Sequence, residues 1–437
     1  MRLRIASDKI LIFSFFLSAI LFGSLFLSIP GVFAAGKLRY IDALFTATSA
    51  ICVTGLITVD TPDFSMLGQS IIMVLIQAGG LGIITFSTIF LASSRRRISI
   101  VGRGVVGEYS VSEVEYKPKV IIKAIVKYTL IFEAVGFVVY LVAFGGKGIR
   151  VFDALFHAVS AFCNAGFSTF RNSLEDYVTN PLVNLNTIFL IVSGGLGFLV
   201  IKDIRKLITG QRRHLSYHSN IVLRTSFSLL AAGTIAFFIL EGSQSMAGLN
   251  FLEKLIASLF QATTPRTAGF NTIAQSNLSQ GSQLLTVLLM FIGASPASTG
   301  GGIKTTTFYI LLITAFRYRD SNDLISYGKR KIQPRLIFKA VGVVVKAILI
   351  VLVASVLIII IEAGSGLSLA DAIFEIVSAF GTVGLSKGIT AGLKDASKII
   401  LILTMFIGRV GLFALALPKT KRDVDGYADL PSAEVLI

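Results

Sequence analysis

Tryptophan is absent from this chain, cysteine occurs twice, histidine three times, and only 15% of the residues are charged. Two cysteines make no disulfide framework. His157, His214 and His218 form no metal-ligand or catalytic set. No nucleophile–base arrangement, carboxylate pair or Cys/His cluster accompanies them, so nothing here reads as an enzyme. Gly300-Gly-Gly-Ile-Lys304-Thr305 superficially resembles a phosphate loop, but it lacks the adjacent Gly-Lys pair and a preceding strand. No organic cofactor is therefore expected. The scarcity of charge also excludes a soluble globular chain, in which about a quarter of the residues are charged.

What is present is apolar: 54% hydrophobic residues, with a mean hydropathy of +0.80. Runs near the length needed to cross a bilayer lie at 10–29, 66–91, 120–144, 182–201, 220–240, 336–361 and 399–417, with an interrupted one at 284–316. The pattern predicts an all-α integral membrane protein with eight transmembrane helices. The net charge of +16 is not a nucleic-acid patch, because the bases cluster at every second span boundary. Such clusters are Arg2, Arg4 and Lys9; Arg95, Arg96, Arg97 and Arg103; Lys202, Arg205 and Lys206; and Lys419, Lys421 and Arg422. That alternation places both termini in the cytoplasm of a cell-membrane protein embedded in lipid. The first apolar run is longer than a typical secretory core and is expected to remain as a span.

Four short stretches resemble one another: Ala43 to Leu56, Ala154 to Phe167, Ala257 to Phe270 and Ala372 to Leu385. Each is an Ala/Ser-rich apolar segment of about three turns, closed by a small residue, a glycine and a large apolar residue. The glycines, Gly55, Gly166, Gly269 and Gly384, are 111, 103 and 115 residues apart. One supersecondary unit is thus used four times. The expected units are 1–94, 95–210 (with a basic cytoplasmic linker), 211–320 (with a broken second span) and 321–417, followed by a cytoplasmic tail at 418–437. Each holds a span (M1), a re-entrant pore helix and a second span (M2). Two full spans per unit leave all four facing the same way, so they close in pseudo-fourfold fashion around an axis normal to the membrane. Inverted repeats need an odd number.

Potassium sheds its water only where backbone carbonyls replace it, and aiming successive carbonyls at one axis needs dihedrals open to glycine. The predicted filter is Val53, Thr54 and Gly55; Asn164, Ala165 and Gly166; Thr267, Ala268 and Gly269; and Thr382, Val383 and Gly384. Only the glycine is shared, so one strong ring with weaker flanking ones is expected. The C-terminal ends of four pore helices add a field that favours a cation. Cys52 and Cys163, three residues before a filter glycine, read as small buried residues.

The second spans align as Gly79-Gly80-Leu81-Gly82, Gly194-Gly195-Leu196-Gly197, Gly293-Ala294-Ser295-Pro296 and Gly408-Arg409-Val410-Gly411. Small residues there allow close helix packing. Arg409 differs. A charge in an apolar segment is expected to project into the conduction path below the filter, as a barrier or counter-charge. In repeat three, Ala294, Ser295, Pro296, Ala297, Ser298, Thr299, Gly300, Gly301 and Gly302, with Lys304 next, should break the helix at mid-membrane. The break reads as a gate beneath the filter or as a static kink. Glu133, mid-span in repeat two, either pairs with a neighbouring base or lines a path.

Val53-Thr-Gly-Leu56, Asn164-Ala-Gly-Phe167, Thr264-Pro-Arg-Thr-Ala-Gly-Phe270 and Thr382-Val-Gly-Leu385, with the break after Gly293 and with Gly408-Arg409, resemble the Trk/Ktr/HKT superfamily of potassium transporters, its Ktr branch in particular. The resemblance covers nearly the whole chain. It implies a channel-like pore, potassium uptake often dependent on sodium, a homodimer, and gating by a cytosolic ring of nucleotide-binding RCK subunits. It also gives the four glycines selectivity, the repeat-three loop gating, and Arg409 a place below the filter. Gly55, rather than the Ser of some relatives, favours potassium over sodium. An ion-coupled secondary transporter with alternating access is the competing expectation.

Overall fold

The computed structural model describes residues 2–101, 118–145, 149–317, 326–327 and 330–411. The expected tail at 418–437, the end of the last span at 412–417 and the bases Arg103, Lys419, Lys421 and Arg422 lie outside the described residues.

The described chain is helical apart from one hairpin, β1 (Ser326–Tyr327) with β2 (Arg330–Lys331). In order the helices are α1 (Arg2–Leu27), α2 (Tyr40–Ile51), α3 (Met66–Val101), α4 (Pro118–Ala143), α5 (Val151–Cys163), α6 (Pro181–Leu196), α7 (Phe198–Ile208) and α8 (Tyr217–Glu241). There follow α9 (Phe251–Thr263), α10 (Gln280–Phe291), α11 (Thr305–Arg317), α12 (Pro334–Ile361), α13 (Leu369–Gly381) and α14 (Asp395–Phe406), which continues as a π-turn over Ile407–Gly411. Five stretches, Ile10–Leu27, Met66–Phe86, Lys119–Ala143, Tyr217–Glu241 and Pro334–Ile361, are long and apolar enough to cross a membrane. With one bent pair the number reaches six, against the eight read from sequence.

The difference lies in the second spans. The run at 182–201 is not one helix: it turns by 102° between α6 and α7. At the turn Gly197 adopts φ 88° and ψ 147°, a conformation essentially reserved for glycine. The run at 284–316 is interrupted by a non-helical loop between α10 and α11. The described part of the last run lies on α14, a helix of twelve residues, and on the π-turn.

Burial runs from the centre outward. The four short helices α2, α5, α9 and α13 contribute fully buried residues such as Phe45, Phe156, Phe260 and Phe374 to the core. The long helices α1, α4, α8 and α12 expose Phe22, Leu130, Phe227 and Phe338 on their outer sides, as lipid-facing helices do. Each short helix carries an acid at its third position, Asp42, Asp153, Glu253 or Asp371, where a negative charge satisfies free N–H groups and the positive helix end. Asn250 and Glu253 form a reciprocal capping box, with N–O distances of 3.0 and 2.9 Å. Each short helix is followed, beyond its glycine, by a single 3₁₀ turn: Thr61–Asp63, Glu175–Tyr177, Gln275–Asn277 and Thr390–Gly392. The four short helices thus share one local backbone pattern.

Candidate functional site

Gly55, Gly166, Gly269 and Gly384 line one cavity of about 510 Å³, together with Asp60, Asp63, Arg171, Glu175, Asn271 and Ser386. The glycines meet in cyclic order. A methyl group built on Gly55 would fall 2.4 Å from the Ala165 carbonyl oxygen, and one on Gly166 would fall 2.8 Å from that of Ala268. On Gly269 it would meet the Val383 oxygen at 2.4 Å, and on Gly384 the Thr54 oxygen at 2.1 Å. No side chain fits at any of the four places. All four glycines also have positive φ, between 72° and 94°.

A second position repeats. Val53, Asn164, Thr267 and Thr382, each two residues before its glycine, have φ of 55°, 60°, 72° and 50°. For β-branched residues this is a costly conformation that persists only where the surroundings enforce it. The expected filter includes these four, but only the glycines mark a shared position in sequence, because Val, Asn and Thr share no side-chain chemistry.

What enforces the conformation is the last turn of each short helix, which takes up the N–H groups of the following strand. Thr54, Ala165 and Val383 donate to the carbonyls of Ser49, Ser160 and Ser378 at 2.8, 2.8 and 2.9 Å. Gly55 N and Gly384 N donate to the hydroxyls of Ser49 and Ser378 at 3.0 and 3.1 Å. Ser160 and Thr264 instead donate their hydroxyls to the Phe167 and Phe270 carbonyls, both at 2.7 Å. With these N–H groups turned back to the helix, planar peptides direct their carbonyls the other way. Thr264 stands five residues before its glycine, whereas Ser49, Ser160 and Ser378 stand six before theirs. Repeat three is thus one residue shorter here, and its helix registers one position differently from an ungapped alignment.

Beneath the ring lies the loop between α10 and α11. A methyl on Gly300 would meet the Thr267 hydroxyl at 2.1 Å, and one on Gly301 the Thr382 hydroxyl at 2.3 Å, so the loop lies directly against the strands of repeats three and four. On another side it bonds to the break in repeat two. Ser295 N and Thr299 N donate to the carbonyls of Gly195 and Gly194 at 3.1 and 3.2 Å, and Phe198 N donates to Ala297 O at 3.0 Å. Lys304 Nζ donates to Gly300 O at 2.7 Å. Pro296, Ser298 and Gly302 complete the loop, and Ala297 adopts a positive φ of 59°. Arg409 is buried beside it: one guanidinium nitrogen donates to the Thr299 carbonyl and the other to Gly79 O at 3.1 Å. Arg409 thereby joins the π-turn after α14 to the loop between α10 and α11 and to α3.

The remaining candidates fall as follows. Gly79, Gly194 and Gly408 sit so close to the carbonyls of Ile51, Phe162 and Phe380 that an added methyl would lie about 2 Å away, so they have the close-packing role. Cys52 and Cys163 are buried and free. Glu133 accepts from Gln77 Nε2 at 3.3 Å and lies 4.0 Å from the Cys163 thiol. At the outer rim the Lys387 ammonium bonded to Asp371 holds that carboxyl below its usual range.

Residues 6–425 match the TrkH family, described as a cation transport protein. The Ktr system potassium uptake protein B of Bacillus subtilis is 38% identical, with 98% of this chain and 96% of that protein covered. The potassium uptake protein of the same name in Vibrio alginolyticus is 37% identical over 92% of this chain and 89% of its own. The potassium/sodium uptake protein NtpJ of Enterococcus hirae is 36% identical over 95% and 93%. The crystal structure of the potassium transporter TrkH from Vibrio parahaemolyticus superposes with a TM-score of 0.72 at 21% identity, covering 92% of this chain and 83% of that one. That likeness concerns the fold.

Proposed function

The chain belongs to the TrkH family of cation transport proteins, multi-pass proteins of the membrane, and from that premise we propose that it takes up potassium through a central pore. In this reading it crosses the cytoplasmic membrane eight times as four M1–pore helix–M2 repeats, with both termini inside. Three of the second spans are bent, broken or short. Val53 to Gly55, Asn164 to Gly166, Thr267 to Gly269 and Thr382 to Gly384 form the filter. The observation that carries the reading is the pairing of two positive-φ positions per strand with strand N–H groups turned away from the centre. That arrangement lines the axis with oxygen, which replaces the water of a monovalent cation. The negative ends of α2, α5, α9 and α13 add to the attraction.

The loop from Ala294 to Gly302 is the gate, and Arg409 with Lys304 places positive charge beside it, a barrier that an ion leaving the filter must pass. The loop is held from two sides, by Arg409 and by the backbone at Gly194–Phe198, and these bonds must break for it to move. Sodium dependence, a homodimer and a cytosolic nucleotide-binding RCK subunit belong to the same proposal. Two of the similar proteins are named as components of a Ktr system, and one as a potassium/sodium uptake protein.

The test is rescue of a potassium-uptake-deficient bacterium at low external potassium, with and without sodium and with and without a Ktr-type cytosolic subunit. Growth restored by this chain supports the reading. Failure of the membrane-inserted protein under all four conditions contradicts it.

A further inference from the structure

The four repeats differ in chemistry at one turn of the short helices. Thr46, His157, Gln261 and Glu375 each stand three residues before Ser49, Ser160, Thr264 or Ser378, and all four are buried. Their side chains face the chain as it returns from the ring. Glu375 accepts from the Ser386 hydroxyl, from Lys387 N at 3.1 Å and from the Thr390 hydroxyl at 2.8 Å. Ser386 lies two residues beyond Gly384. In repeat two, His157 Nδ1 is 2.7 Å from the Asp153 carbonyl, which only accepts, so that nitrogen carries the proton. The other nitrogen then accepts from the Ser168 hydroxyl at 2.8 Å, and Ser168 lies two residues beyond Gly166. Gln261 exchanges amide hydrogen bonds with Gln275 at 3.0 and 3.3 Å. The Thr46 hydroxyl has no partner among the described residues, and Ile57 stands where Ser168 and Ser386 stand in the other repeats.

The nearest neighbours run in the cyclic order Gly55, Gly166, Gly269, Gly384 and back to Gly55, so the second and fourth strands face each other across the axis. The charged or aromatic braces occupy that diagonal, and the other diagonal is held by an amide pair and by packing. Glu375 makes the most bonds of the four. Without it, the buried Thr390 hydroxyl and the half-buried Ser386 hydroxyl and Lys387 N lose their shared acceptor, the two hydroxyls keep only each other at 3.1 Å, and the returning chain is less firmly fixed. A carbonyl ring distinguishes cations only as far as its oxygens keep their positions.

We infer that Glu375 is a positioning residue for ion selection: through Ser386, Lys387 N and Thr390 it fixes the chain leaving Gly384, and hence the oxygens of repeat four. The inference rests on the filter reading above. The full-length protein is reconstituted in lipid vesicles, and its potassium and sodium fluxes are compared for the unmodified chain, Glu375→Ala, Glu375→Gln, Ser386→Ala and Gly384→Ala. Glu375→Ala is expected to lower the potassium-to-sodium ratio about tenfold, whereas Glu375→Gln, whose amide oxygen still accepts from Ser386 and Lys387 N, stays within about twofold. A role in stability alone would reduce yield without moving the ratio and would show no rescue by Gln. If Gly384→Ala loses discrimination while Glu375→Ala keeps it, the inference is overturned and the filter stands. If neither variant changes the ratio, both fall. Should Glu375→Ala fail to fold, Ser386→Ala removes one donor without stranding a buried charge, and an unchanged ratio there overturns the inference.

Discussion

Lys398 Nζ lies 2.9 Å from Asp42 Oδ1, and both side chains are buried. The two residues are 356 positions apart, Lys398 on α14 and Asp42 in the first turn of α2, so their pairing fastens the last repeat to the first. Removing one partner of a buried ion pair costs up to about 3–5 kcal/mol, and without Lys398 the Asp42 carboxylate keeps only Arg39, at 4.0 Å. Lys398→Ala is therefore expected to lower the thermal midpoint of the detergent-solubilised protein markedly. Lys398→Met combined with Asp42→Asn should recover most of that loss, because neither charge remains. A single variant as stable as the unmodified chain would show that the ring is closed by other contacts.

Arg409 ties the Thr299 carbonyl to Gly79 O. Its loss frees the loop and removes a positive charge from the path together. Arg409→Ala is expected to raise cation flux about tenfold, the factor that one charge-assisted hydrogen bond of about 1.5 kcal/mol implies. Deleting part of the loop from Ala294 to Gly301 should raise it as well. Isotope uptake into vesicles reads both. Unchanged flux and unchanged ion dependence in Arg409→Ala would remove the barrier role, and unchanged or reduced flux in a correctly folded loop deletion would favour the static kink.

Arg171 bridges Asp60 and Asp63 at the rim of the cavity above the ring, and its side chain is largely exposed. Arg171→Gln leaves two carboxylates facing the entrance. A local excess of negative charge concentrates cations, and salt screens the effect over about 10 Å at 0.1 M. The KM for potassium should fall about two- to threefold at low ionic strength and return to the unmodified value at high salt. A KM insensitive to the substitution at low salt would place ion entry elsewhere.

How far the sequence disclosed this architecture depended on whether a feature had a chemical mark. The four glycines did, since only glycine tolerates both the positive φ and the adjoining carbonyl, and their spacing revealed the repeat. Val53, Asn164, Thr267 and Thr382 did not, because their unusual backbone is imposed by the preceding helix turn and the residue types differ. The serines that impose it were present in the quoted stretches, but Thr264 is displaced by one position, which hides the set from an ungapped comparison. The loop of repeat three was legible from Pro296 and the three glycines. The 102° turn at Gly197 was not: the run at 182–201 has no charge and no proline, and hydropathy does not register direction. His157 gave no sign of its bond to Ser168, because the pairing depends on a chain reversal between them.

The potassium-to-sodium flux ratio of Gly269→Ala, measured in vesicles beside the unmodified protein, bears most directly on the pore. An alanine methyl there would fall 2.4 Å from the Val383 carbonyl oxygen and would displace the strand that carries it. The unmodified protein is expected to favour potassium, and the variant to lose at least about tenfold of that preference. A folded Gly269→Ala protein that selects potassium as well as the unmodified chain would contradict the assignment of this ring as the filter.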